Sequence, residues 1–333
     1  VWYTCMRERG RELALVASRL RYGAEEWEPA APFWNTPDRN NHAPALWNDG
    51  KSAMYFFNGL SAAATWGNLA TIMHTSKDSG ATWSPARLIT PEHGTRHMPV
   101  ESVSRTQEGY IILPCDAVSG GSGGTAIWVS RDEGETWEDA GGTIAGIHAG
   151  VVQLKDGRLL AFGRGDNIDD RMPKSISEDM GKTWTYSPSI FQPIRGGQRL
   201  VLLRLREGPL FFASFGKEMT IEDASGWQHQ AFRKSLSKRE KHQASGLFGA
   251  LSFDEGETWP VRRLITDDGP GRPVEAMDGR IFTMSMTNAE PAGYMSVCQT
   301  ADGVINLISS RQHYAFNVQW LKTAPQIVKV TRG

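Results

Sequence analysis

SKDSGATW at 76–83, SRDEGETW at 130–137, SEDMGKTW at 177–184 and SFDEGETW at 252–259 are four copies of one string, S-x-D-x-G-x-T-W. A string that returns once per supersecondary unit marks a repeat architecture. Its chemistry is that of a tight turn: aspartate accepts backbone N–H bonds, glycine supplies a positive φ, and tryptophan folds back as an apolar pin. A second pattern runs alongside, an apolar strand, an Asp-Gly or Glu-Gly pair, and another apolar strand. Asp49-Gly50, Glu108-Gly109, Asp156-Gly157, Glu207-Gly208 and Asp302-Gly303 read as hairpin turns of this kind. Each unit thus predicts strand, hairpin turn, strand, variable loop, strand, aspartate turn, strand. That is one four-stranded antiparallel blade.

Complete units fall at roughly 42–90, 97–143, 148–190 and 198–265, with another from about Tyr294 and a fragment before Pro32. The fragment holds a weakened aspartate turn between Ser18 and Trp27. The expected fold is all-β, a single β-propeller of four-stranded blades over residues 1–333, with six or seven blades. The stretch 216–245, with its KSLSKREK run at 234–241, reads as a solvated insertion in one blade loop. The 35 glycines and 12 tryptophans suit many turns locked by aromatic side chains.

A net charge of −1 over 333 residues leaves no basic stripe for nucleic acid. No run approaches the ~20 apolar residues of a membrane span. No signal peptide stands at the Val1 end and the chain opens directly in strand-like residues without an initiator Met, so a mature or truncated product is expected, and the expected location is secreted or periplasmic. Cys5, Cys115 and Cys298 lack metal-ligand spacing and read as small buried thiols, or as one disulfide and a spare.

Aligning the first strand of each unit places His42, His97 and His148 at one repeat position, which takes three of the eight histidines. Their flanking residues differ while histidine persists. Such a trio suits proton transfer, or a divalent metal held by three neutral imidazoles. The next unit carries Gln198 and Arg199 there. The loops of the same face bring Arg164 and Arg171, Trp66, and the run Arg311, Gln312, His313, Tyr314. Arginine captures a carboxylate through two parallel bonds, and tryptophan stacks on a sugar ring. Glu101 lies deeper along its strand, and Asp166, Asp169 and Asp170 share one loop, so no Asp/Glu pair for glycoside hydrolysis stands out.

The four aspartate turns resemble the Asp-box of sialidase-like propellers, where it joins the third and fourth strands of a blade. That family uses three arginines on the substrate carboxylate, a catalytic Asp and a Tyr/Glu nucleophile pair. Where its first arginine stands in an Arg-Ile-Pro string, this chain has His42-Ala43-Pro44. With the runs NNHAPAL at 40–46, RHMPVES at 96–102 and HAGVVQL at 148–154, the chain looks more like the propellers acting on rhamnose-capped glucuronate glycans, the L-rhamnose-α-1,4-D-glucuronate lyases and α-L-rhamnosidases. The resemblance implies a polysaccharide lyase that releases terminal L-rhamnose from O4 of D-glucuronate by β-elimination. Its partner would be an acidic oligosaccharide or polysaccharide with rhamnosyl-glucuronate ends. Arg164, Arg171 or Arg199 would take the carboxylate, with His42 and His97 as base and acid, His148 or Tyr314 in support, and Gln198, Trp66, His313 and Arg311 lining the substrate. An α-L-rhamnosidase, an exo-sialidase and a non-catalytic glycan-binding propeller are the alternatives.

Overall fold

A computed structural model describes residues 2–4, 10–63, 67–100, 102–118, 123–222, 241–323 and 325–330. Trp66, Glu101, Cys5 and most of the 216–245 segment lie outside them. The described chain is all-β apart from one five-residue helix. It divides into two compact units, one of residues 1–153 and 177–184, the other of 154–176 and 185–333.

In the first unit, β1 (Trp2–Thr4), β2 (Ala14–Ala17) and β3 (Ala31–Trp34) form one three-stranded sheet. β4 (Asn40–Asn48), β5 (Met54–Ser61), β6 (Leu69–Ser76) and β7 (Arg87–His93) follow as a four-stranded meander in chain order. β8 (Thr95–Pro99), β9 (Ser104–Arg105), β10 (Ile111–Val118), β11 (Thr125–Ser130) and β12 (Glu138–Asp139) make the next, with β8 and β9 pairing successive parts of β10. β13 (Ile147–Gln153) closes this stretch. The core between the two meanders gathers Tyr55, Phe57, Met73, Ile111, Leu113 and Cys115. These residues alternate along their strands, which is why one face of each sheet is apolar.

The second unit holds β14 (Leu159–Arg164), β15 (Pro173–Ser177) and β16 (Thr185–Pro188). β17 (Val201–Arg204), β18 (Leu210–Glu222), β19 (Lys241–Ser252) and β20 (Val261–Leu264) form another meander. β21 (Arg272–Glu275) pairs β22 (Ile281–Met284), and β23 (Ser296–Gln299), β24 (Ile305–Ile308) and β25 (His313–Phe316) make a three-stranded sheet. Helix α1 (Val318–Lys322) and β26 (Gln326–Val330) follow, and β26 pairs the far end of β18. Phe162, Phe191, Phe212, Phe248 and Trp259 form the aromatic core here, with Phe191 and Phe212 stacked at 4.2 Å.

Two sequence expectations change. Gly216–Glu222 and Lys241–Ser245 continue the β18/β19 ladder past a bulge between Gly216 and Met219, so the described ends of the supposed loop are sheet. Residues 272–284 add a hairpin turned by Asp278-Gly279, which the repeat count passed over because each strand is only four residues long.

All four aspartate turns share one bonding scheme. The Ser76 hydroxyl donates to Asp78 Oδ1 and accepts from Gly80 N, both at 2.8 Å, while Asp78 takes the Thr82 N–H at 2.8 Å and the Thr82 hydroxyl at 2.6 Å. Ser130, Ser177 and Ser252 repeat it. A left-handed pair makes each bend, Ser79 (φ 59°) and Gly80 (φ 80°) in the first. Trp83 then packs on Phe33 and Trp137 on Phe57, each a phenylalanine of a different sheet and each edge-on at 5.6 Å.

Candidate functional site

Each of the three histidines sits near the start of its strand and is buried. Their backbones differ. The left-handed residue falls after the histidine at Ala43 (φ 51°), before it at Arg96 (φ 56°), and on it at His148 (φ 52°). Such residues cost of order 1–3 kcal/mol and persist where the surroundings hold them. At Arg96 the hold is visible: the guanidinium bonds Asp139 through both oxygens, Thr143 Oγ1 and Gly142 O, and its carbonyl accepts from Trp128 Nε1.

Among the described residues no group of three or more His, Cys, Asp or Glu side chains is arranged to hold a metal ion. His97 is the most enclosed of the trio. Both ring nitrogens are buried without a well-aligned hydrogen-bond partner among the described residues, and the His93 ring lies 4.8 Å away. Burial holds His97 below the ordinary histidine range, so the ring is neutral near pH 7.

Next to them stands a carboxylate that the sequence reading passed over. Asp116, on β10, is 3% exposed. Its Oδ1 accepts the His148 backbone N–H at 2.7 Å, and its Oδ2 lies 2.7 Å from His148 Nδ1. The second contact is short in distance with the ring turned off the ideal N–H axis. A signal was present, since Asp116 breaks the otherwise uncharged strand IILPCDAV.

The second unit gathers a cationic cluster. Arg164, at the end of β14, and Arg199 lie over the ring of Tyr294, 5.6 and 5.0 Å from its centroid. Arg164 Nη1 also donates to Tyr294 Oη at 3.3 Å and to Gln198 O at 3.1 Å. The Arg199 backbone N–H donates to Gly293 O, which ties it to the segment carrying Tyr294. Neither guanidinium has a carboxylate at ion-pair distance among the described residues. Four residues before Tyr294 in the same segment, Glu290 is fully buried and accepts from Tyr314 Oη at 2.9 Å and Ser309 Oγ at 2.8 Å. Burial raises the Glu290 carboxyl, and burial with the neighbouring carboxylate pushes the Tyr314 hydroxyl well above its ordinary range.

A profile of the BNR repeat-like domain family matches residues 1–307. The chain belongs to this family. Among solved structures, this BNR repeat-like chain is similar to a protein of unknown function from Dyadobacter fermentans, with 15% identity, a TM-score of 0.61, and 94% of this chain and 85% of that one covered. It is also similar to the intramolecular trans-sialidase of Ruminococcus gnavus, with 11% identity, a TM-score of 0.56, and 94% and 89% covered. The NanB sialidase of Streptococcus pneumoniae gives 11% identity and a TM-score of 0.58, with 92% and 64% covered. These likenesses establish a sialidase-like propeller fold. No curated protein matches.

The remaining residues singled out in this BNR repeat-like chain are engaged locally. Gln198 spends its amide on Pro291 O and Arg195 N. Exposed Arg311 pairs with Glu275 at 3.0 Å. Arg171 donates to Ile190 O, and His313 Nε2 lies 3.0 Å from Asn306 Oδ1. The structure thus brings Arg164 and Arg199 together around Tyr294 and sets Arg311 apart in a surface ion pair.

Proposed function

We propose that this chain is a carbohydrate-active enzyme that acts at the carboxylated sugar of an acidic glycan, and that it releases terminal L-rhamnose from O4 of D-glucuronate by β-elimination. The observation that carries the reading is the pair Arg164 and Arg199 on Tyr294. Two half-buried guanidiniums held beside one ring repel each other, and an anion between them relieves that cost. A uronate carboxylate supplies the anion, and neutralising it acidifies C5. Base removal of the C5 proton forms the C4–C5 double bond as C4–O4 breaks, and rhamnose departs with O4 after that oxygen is protonated. The reading also calls for a base at C5 and an acid at O4, roles that an imidazole fills near neutrality. A single propeller domain of six or seven blades, secreted to where such glycans occur, belongs to the same proposal. The relatives named sialidase and trans-sialidase support action on glycans.

A second reading has its own observation. Tyr314 and Glu290, 2.9 Å apart in the unit that holds both arginines, match the Tyr/Glu nucleophile pair of a sialidase. Tyr314 Oη would attack an anomeric carbon as Glu290 takes its proton.

Incubation with a rhamnosyl-glucuronate disaccharide and with a sialoside separates the readings. Free rhamnose with the ultraviolet absorbance of an unsaturated uronate identifies the lyase. Rhamnose without absorbance identifies an α-L-rhamnosidase, and free sialic acid the second reading. Binding without any product makes the chain a glycan-binding module.

A further inference from the structure

The structure of the first unit singles out one imidazole of the three. His148 carries its left-handed φ of 52° inside a strand, a conformation that needs an external hold. Asp116 Oδ1 provides it by accepting the His148 backbone N–H, while the other oxygen of the same carboxylate lies at Nδ1. One side chain therefore bonds the backbone of His148 and lies against its ring. The Thr125 hydroxyl lies 3.5 Å from Asp116 Oδ1 and donates to Gly146 O at 3.0 Å. It also accepts the Ala149 N–H at 3.3 Å, which braces the residue after His148.

We infer that His148 is the proton-accepting histidine of this site and that Asp116 is its positioning residue, holding the ring with Nδ1 protonated and Nε2 as the base. An ionised carboxylate only accepts, so the ring atom facing it must carry hydrogen in the neutral imidazole. The same carboxylate stabilises the imidazolium that forms when Nε2 takes a proton. In an elimination on a uronate, that proton comes from C5 and its bonding electrons go into the C4–C5 double bond. The catalytic part rests on that reading, whereas the arrangement of Asp116 and His148 does not.

The test reads the tautomer directly. Long-range proton–nitrogen NMR on the labelled full chain, with His148 assigned by its loss in H148Q, is expected to show Nδ1–H in the neutral ring. In D116N one amide atom must keep accepting the His148 backbone N–H, so the –NH2 faces the ring and the tautomer reverses to Nε2–H. On the rhamnosyl-glucuronate disaccharide, D116N is expected to lose about 10²–10⁴ in kcat with KM little changed. A wild-type ring protonated on Nε2, or D116N that turns over like wild type, overturns the inference. The wild-type spectrum decides the pairing even where D116N fails to fold. The expected tautomers in a protein that cleaves no uronate uphold the Asp116–His148 pairing and remove the lyase reading instead.

Discussion

Arg199 and Arg311 are both arginines picked out by sequence, and the structure separates their fates. Arg311 forms an exposed ion pair of the kind worth little, so Arg311→Ala is expected to leave turnover within about twofold of wild type. Arg199→Ala removes half of the proposed carboxylate clamp, whose effect would grow as charge develops, and kcat on a uronate glycoside is expected to fall about 10²–10³. Steady-state kinetics of the two variants side by side check this, and equal losses would sink the clamp. The distinction was invisible in the sequence because Tyr294, which gathers Arg164 and Arg199, is 130 residues from Arg164. Asp116 was hidden for the same reason, its partner His148 lying 32 residues away. Local chemistry such as an aspartate turn is legible in a string, whereas pairing across strands requires the register.

The aspartate turn is the element that made the fold readable, since its bonds close within seven residues and its backbone demands are met by few residue types. Gly181 shows how strict they are. It sits at φ 87°, and an added Cβ would stand 2.2 Å from Ile127 Cδ1. Gly181→Ala is therefore expected to destabilise by about 1–3 kcal/mol from the backbone conformation alone, and more where Ile127 cannot move. Trp137→Ala removes the edge contact on Phe57. Because Trp137 is only half-buried, its cost should fall below the about 3–5 kcal/mol of a fully buried tryptophan. Denaturant melts of both variants measure this, and the catalytic constants of the surviving folded protein should be unchanged. A selective loss of kcat at constant stability would place the aspartate turns in the site.

Over the whole molecule, acid should act in two stages. Burial lowers His74 and His97 in the fold from the ordinary 6.5, so the unfolded chain binds their protons first and stability begins to fall as pH drops through that value. The second stage belongs to Asp78, Asp132 and Asp179, which the threonine hydroxyl and N–H bonds hold down to about 2. Their contribution is complete above the ordinary 3.8 and is lost as pH falls from there towards 2. Melting temperature against pH should decline in both windows, and H97Q should flatten the upper one alone. An unaltered upper decline in H97Q would show that His97 titrates normally in the fold.

The pairing of β26 with β18 bears on how the chain is made. Ile221 meets Ile327 and Glu222 meets Gln326, so a strand end laid down early receives its partner only after about a hundred further residues have been synthesised. Until then a nascent chain on the ribosome exposes unmatched amides along Met219–Glu222, an open template for a neighbouring polypeptide. Slowing translation between residues 223 and 330 should increase inclusion-body formation, and supplying residues 326–330 as a free peptide during refolding should reduce it.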